Sequence, residues 1–234
     1  MEQSPMEFES FASSSRGNLY RVRCGSAALL LEAGLPLREI RRRLGWTVST
    51  LDGCLLTHEH MDHARGAADL LRMGMPIWCS PGTAEELELD GHSLHLVRSG
   101  DQARIGAVDV LALEAQHDAA EPLAWLLADG QDKLLFATDT AYLQWRFVGL
   151  TMIAIECSFA SDLLPADMPQ GQRARLEASH MSLASVLELL AANDLSAVRE
   201  IHLLHLSQGH ADAARFQRTI EEATGCPVTL AAER

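Results

Sequence analysis

Apolar and polar positions alternate from Tyr20 to Cys24 and then run together from Ala27 to Leu31, with Gly25 between. That pattern predicts two strands joined by a turn. Residues 36–44 instead place apolar side chains at helical spacing, with Pro36 at a plausible first helical position and Gly45 as the stop, so a helix is expected. A short strand ending at Leu56 leads into a polar loop, followed by a helix through about Leu71. Further strands are expected over 77–79, 94–98, 107–115, 123–128 and 133–138, with a helix opening at Pro81-Gly82-Thr83. The second half continues with a strand at 153–156, a helix at 182–192, a strand at 200–206, a helix at 212–224 and a strand at 227–230. Apart from the strand at 153–156, the stretch from Gln144 to Gln172 has Pro165, Pro169 and few periodic apolar residues, which predicts a long loop. Both halves mix strands with helices. Two sheets packed together, with helices on the outer faces, satisfy such an α/β pattern.

A chain of 234 residues can bury a substantial core and is most simply one domain, residues 1–234. The opening Met1-Glu2-Gln3-Ser4-Pro5 has neither a basic nor an apolar region of the kind a secretory signal needs. No run approaches the roughly eighteen consecutive apolar residues of a membrane helix. The cysteines Cys24, Cys54, Cys79, Cys157 and Cys226 are odd in number and widely spaced, as expected of reduced, buried thiols in a cytoplasmic protein. A net charge of −13 weighs against non-specific binding of duplex nucleic acid, which relies on a basic surface. It does not exclude a nucleic-acid substrate, because bound divalent ions would reverse the local field.

Residues 57–63 read Thr-His-Glu-His-Met-Asp-His. His58, His60, Asp62 and His63 put four metal-capable side chains in six residues, directly after the apolar run Cys54-Leu55-Leu56. Imidazole with carboxylate suits zinc, iron or manganese, whereas a closed structural zinc site favours thiolate. One helix cannot aim all four at a point, since i and i+2 lie on different faces. A tight loop leaving a strand can. Such a window alone is short of ligands, and three other residues stand where a predicted strand stops: His117 after the strand at 108–114, Asp139 after Leu134-Leu135-Phe136-Ala137-Thr138, and His205 after Ile201-His202-Leu203-Leu204. Separate strands deliver side chains to one sheet edge from such positions.

The ordered set His-x-His-x-Asp-His, strand-end His, strand-end Asp and C-terminal His resembles the metallo-β-lactamase fold hydrolases over nearly the whole chain. Details are similar to the YycJ/WalJ-like branch of exonucleases: Ser13-Ser14-Ser15-Arg16-Gly17-Asn18, His117-Asp118-Ala119 with Glu121-Pro122, Ala137-Thr138-Asp139-Thr140, Ser179-His180-Met181-Ser182 and His205-Leu206-Ser207. The resemblance implies a four-layer αββα sandwich of two mixed sheets with outer helices. It further implies two divalent metal ions, zinc before manganese or iron. His58, His60 and His117 would hold the first ion, Asp62, His63 and His205 the second, and Asp139 would bridge them. Two ions about 3.5–4 Å apart can share a hydroxide and polarise the scissile group. Catalysis is then assigned to Asp62, as ligand, and to His180 with Glu156, His180 facing the substrate phosphate as general acid and Glu156 orienting it. The plainer reading of His180 is a residue in a polar turn ahead of a helix capped by Ser182.

Three positions depart from the family pattern. Glu32, in Leu31-Glu32-Ala33-Gly34, stands where an Asp is usual; its extra methylene could still reach a ligand histidine. Cys157 follows Glu156 where the branch has Asn, and His210 replaces a later Asn. His210 is either an extra ligand or a surface residue at a helix start. His92 and His95 are expected in a polar loop and strand edge, His202 in the core, and Arg41-Arg42-Arg43 on a solvated helix face. Arg173 and Arg175, just ahead of His180, are placed to touch a substrate phosphate.

The implied activity is phosphodiester hydrolysis, most simply of single-stranded or terminal nucleic acid, with no membrane partner. Thioester or lactone hydrolysis, as in other branches of the fold, uses the same ligands and is the alternative. A β-lactamase fits less well, because the branch implied by Asp139 bridges with a carboxylate. A non-catalytic metal-binding or adaptor protein is the reading from another class, and degenerate members of that kind lose ligands that are all present here.

Overall fold

A computed structural model describes residues 5–45 and 47–231; the N-terminal residues 1–4, on which the expectation about a secretory signal partly rests, lie outside the described residues. The chain divides into two compact units, one drawn from residues 5–114 and 119–132, the other from 115–118 and 133–231.

The first unit contains β1 (Glu7–Ala12), β2 (Leu19–Cys24), β3 (Ala27–Leu31), α1 (Leu37–Arg43), β4 (Gly53–Leu55), α2 (Met61–Ala64), α3 (Ala67–Arg72), β5 (Ile77–Cys79), α4 (Pro81–Glu86), β6 (Leu94–Leu96), β7 (Gln102–Ile105), β8 (Val108–Glu114) and β9 (Leu123–Ala128). Six strands form one mixed sheet in the order β1-β2-β3-β4-β5-β6, antiparallel from β1 to β3 and parallel from β3 to β6. Leu29, Leu30, Leu31, Cys54 and Leu55 are all fully buried, as parallel strands covered on both faces require. β7, β8 and β9 form an antiparallel meander.

The sequence pattern predicts neither β1 nor β7. β1 is an edge strand whose Glu7 and Glu9 face Arg23 and Arg21 across the ladder, each pair closing to 2.7 Å. Its charged residues read as loop until the partner strand is known. The helix expected through Leu71 is broken into α2 and α3 at Gly66, whose N–H donates to Ala33 O at 2.8 Å. A Cβ on Gly66 would stand 2.6 Å from Leu35 O, so only glycine permits that approach.

Gly34 is tighter still. A Cβ there would meet Asp62 O at 1.7 Å and Asn18 N at 2.6 Å. Both are backbone atoms, so rotamer changes cannot relieve the clash. Gly34→Ala is expected to destabilise the chain by about 3 kcal/mol, the upper range for overpacking, which urea denaturation would measure. A loss under about 1 kcal/mol would mean that the loop bearing Asp62 does not lie against Gly34.

The second unit contains β10 (Lys133–Ala137), β11 (Met152–Glu156), α5 (Gln170–Ser179), α6 (Leu183–Ala191), β12 (Glu200–Leu204), α7 (Ala213–Thr224) and β13 (Val228–Leu230). β10, β11, β12 and β13 run parallel in that order. Every residue of β11 is buried. Helices α6 and α7 begin at Ser182 and Asp212, whose side chains accept from the N–H groups of Ser185 and Arg215. α7 ends on Gly225 at φ 71°, the left-handed cap that glycine favours. The loop expected up to Gln172 is shortened: β11 crosses it and α5 begins at Gln170. Most of α5 faces solvent, so it carries no apolar stripe for periodicity to detect.

Among the described residues, no helix is long and apolar enough to cross a membrane. All five cysteines are buried and unbridged. Burial pushes the Cys24 and Cys79 thiols up to about 12, which keeps them protonated near neutral pH.

Candidate metal centre

In the first unit, β4 ends at Leu55 and the chain turns through Leu56 and Thr57 into the histidine window. His58 and His60 lie in the loop, whereas Asp62 and His63 sit on the single helical turn of α2, so loop and helix share the task. Thr57 Oγ1 lies 2.8 Å from His58 Nδ1, which fixes the ring and leaves Nε2 as its ligand-capable nitrogen. The His58 ring centroid is 4.6 Å from that of His60 and 4.2 Å from that of His63. His58 and His60 bring ligand atoms within 4.8 Å of each other, as do Asp62 and His63.

Glu32 takes the place expected for the family's Asp. It is fully buried, and its Oε2 lies 3.7 Å from His63 Nδ1. Burial pushes its carboxyl up, and His63 and Thr57 pull it back. With Nδ1 turned toward Glu32, His63 presents Nε2, which lies 3.4 Å from Asp62 Oδ2.

The Ser13–Asn18 stretch, which the sequence marks only as a family likeness, has a physical task. Asn18 is buried; its Nδ2 lies 3.0 Å from His63 Nε2 and its backbone N–H donates to Asp62 O at 2.7 Å. Tyr20 OH donates to Asn18 Oδ1 at 2.9 Å and lies 2.7 Å from Ser13 Oγ. This buried chain holds the amide against the motif. Asn18→Ala is expected to cost about 2 kcal/mol of stability, the usual penalty for orphaning buried polar partners. Tyr20→Phe should add little in the Asn18→Ala background, and a double-mutant cycle by denaturation reads that coupling. Strict additivity would contradict the chain.

In the second unit, Asp139, Glu156 and His205 stand at the carboxyl ends of β10, β11 and β12. Parallel strands deliver all three to one edge of the sheet, where open α/β sheets place ligands. Asp139 and His205 have φ 46° and 49°, and Glu32 in the first unit has φ 65°. Left-handed backbone at a residue other than glycine costs of order 1 kcal/mol and collects at functional positions. Of four such residues described, three are candidate site residues.

His117 Nδ1 lies 2.8 Å from Ser179 O and its Nε2 3.7 Å from Asp139 Oδ2. Burial holds its pKa below the ordinary histidine value, against the pull of Asp139, so it is the neutral imidazole that a ligand must be. His205 Nδ1 lies 3.2 Å from Asp139 Oδ1 and 3.5 Å from Glu156 Oε1. His180, the residue after α5, sets its Nδ1 2.6 Å from Glu156 Oε1. Burial alone would lower the His180 pKa; the charge and hydrogen bond of Glu156 outweigh it and raise the value. Glu156, fully buried, is held below the usual carboxylate range by His180 and His205 despite burial. Its Oε2 accepts from the backbone N–H groups of Thr140 at 2.9 Å and Met181 at 3.2 Å. Asp139, Glu156, His180 and His205 bring ligand atoms within 4.8 Å of one another.

The remaining candidate residues lie apart from these clusters. Arg175 pairs with Asp118 at 2.6 Å, and Arg173 lies 4.0 Å from Glu177. His210 lies 3.4 Å from Ser207 Oγ and belongs to no ligand cluster. His92 and His95 are exposed, and His95 stacks on Trp78 at 4.4 Å. His202 is buried 3.3 Å from Glu200. Of the arginine run, Arg42 pairs with Glu39 and Arg43 donates to Phe11 O. Cys157 is buried and supplies no polar group in place of the expected Asn.

Residues 28–206 match the model of the beta-lactamase superfamily domain. Exodeoxyribonuclease WalJ of Streptococcus pneumoniae (serotype 2, strain D39) is 26% identical over 230 residues, covering 89% of this chain and 84% of that one. Exodeoxyribonuclease YycJ of Bacillus anthracis is 29% identical over 154 residues, 62% of this chain and 58% of its own. Among solved structures, the metallo-β-lactamase fold protein YhfI from Bacillus subtilis superposes with a TM-score of 0.75 at 17% identity, covering 98% of each chain. That likeness gives the fold, two mixed sheets with helices, as the sequence implied.

Proposed function

Because the chain belongs to the beta-lactamase superfamily, we propose that it is a dinuclear metal-dependent phosphodiesterase, a nuclease acting on single-stranded or terminal nucleic acid. One hydrolase domain, residues 1–234, carries the activity. The ligands are those the family order assigns: His58, His60 and His117 for one ion, Asp62, His63 and His205 for the other, and Asp139 for both. The donor chemistry supports divalent ions, zinc ahead of manganese or iron. Every donor is an imidazole or a carboxylate, and the nearest thiols are buried and protonated. When bound, such ions supply hydroxide from water at neutral pH and neutralise charge building on phosphate.

The chain's own residues do the rest. Thr57 and Ser179 O hold His58 and His117 in fixed rings, and Glu32 backs His63. Glu156 keeps His180 protonated, and His180 gives that proton to the departing oxygen. The single observation that carries the reading is the 2.6 Å contact between His180 and Glu156, beside Asp139 and His205. A thioester expels a thiolate, which leaves without help. A nucleotide ester, like a lactone, expels an alkoxide and needs an acid, so this pair weighs against the thioester. The names of the WalJ and YycJ relatives support the same choice. The buried, reduced thiols suit a cytoplasmic protein.

The test is a panel: end-labelled single-stranded DNA and RNA, a thioester and a lactone, each with zinc, manganese or iron. Shortened oligonucleotides are expected. Turnover of the thioester or lactone with every oligonucleotide intact would favour the alternative and overturn this one.

A further inference from the structure

Exposed apolar side chains that gather in one place mark binding sites more often than scattered ones do, and Tyr142, Trp145 and Val148 are 54%, 40% and 80% exposed within one loop of the second unit. The loop joins β10 to β11 and is pinned. Leu143 and Phe147 are buried, Phe147 N donates to Asn193 Oδ1 at 2.6 Å, and Arg146 Nη1 donates to Ala192 O at 3.2 Å. Thr140 Oγ1 donates to Tyr142 O at 2.9 Å. The two rings are therefore presented on a fixed backbone.

Beside them, against α6, lies a cavity of about 250 Å³ whose walls include Tyr142, Trp145, Arg146, Met181, Ser185 and Glu188. Sites for drug-sized ligands run to roughly 300–1,000 Å³, so this one suits a single ring system. Glu156 links its wall to His180. Its Oε1 holds His180, while its Oε2 accepts from the N–H of Met181, which lines the cavity, and from that of Thr140, two residues before the lining Tyr142.

We propose that this cavity receives the nucleobase of the nucleotide at the scissile bond, stacked on Tyr142 and Trp145. The inference rests on the phosphodiesterase reading and names the part of the substrate that the chain grips. Every base has a π-face, so such stacking tolerates any sequence, as an enzyme trimming strand ends requires. Arg146 adds a cation in reach of base or phosphate. Ser185 and Glu188 offer acceptors for ring or exocyclic N–H groups.

The test is calorimetric binding of deoxyadenosine 5′-monophosphate and of methyl 2-deoxyribofuranoside 5-phosphate, in which a methoxy group replaces the base on the same closed ring. The wild-type chain should bind the nucleotide roughly tenfold tighter or more. Tyr142→Ala and Trp145→Ala should bring that ratio toward one, and Trp145→Phe should restore it, which also guards against misfolding. A wild-type ratio near one, or a ratio unmoved in both alanine variants, overturns the subsite. Cleavage of single-stranded DNA in the same preparations separates the two readings: cleavage with a ratio near one removes the subsite alone. No cleavage with a high ratio supports the subsite and counts against the phosphodiesterase.

Discussion

Asp139→Asn is expected to lower phosphodiester hydrolysis by about 10³-fold while the chain stays folded. Asparagine is the informative replacement because Asp139 adopts φ 46°, a conformation that Asn tolerates and Ala does not. Thr138 Oγ1, which donates to Asp139 Oδ1 at 2.9 Å, keeps an acceptor in the amide oxygen. The change thus removes one negative charge from the group assigned to both ions and little else. Rates on labelled single-stranded DNA and a thermal melt check it. A loss under about tenfold with an unchanged melt would mean that Asp139 holds no catalytic ion.

The second large effect separates the acid from the ligands. His180→Ala is expected to slow cleavage of an oligonucleotide by about 10²–10⁴-fold, the range for a lost general acid. On a phosphodiester with a p-nitrophenolate leaving group, the same variant should lose no more than a few-fold, because that group departs unprotonated. Were His180 a metal ligand, as its nearness to Asp139 and His205 also allows, both substrates would suffer alike. The Glu156 contact, 2.6 Å from His180 Nδ1, raises the His180 pKa and so favours the acid, and the pair of substrates separates it from a ligand.

How much of this was legible in the sequence varies by element. The window from His58 to His63 stands out because four metal-capable side chains, three imidazoles and a carboxylate, fall within six residues. His117, Asp139 and His205 are found from strand-end positions, and β8, β10 and β12 do stop just before them. Local pattern fails where a partner decides the conformation. The charges of β1 are satisfied only across the ladder by Arg21 and Arg23, and α5 has too little buried surface to set a period. The helix break at Gly66 depends on contact with Leu35 and Ala33, distant in sequence. Asn18 shows the same limit for chemistry. Its motif is recognisable, but its grip on Asp62 and His63, forty-four and forty-five residues on, appears only in three dimensions. Arg175 shows the same limit for charge, since its pairing with Asp118, fifty-seven residues away, is visible only in three dimensions.

Metal content per chain, measured by mass spectrometry on protein purified without added chelator, tests the central claim most directly. Two divalent ions per wild-type chain, falling to one or none in Asp139→Asn, is the expected result. Trace metal in a chain that still cleaves single-stranded DNA in excess chelator would contradict it.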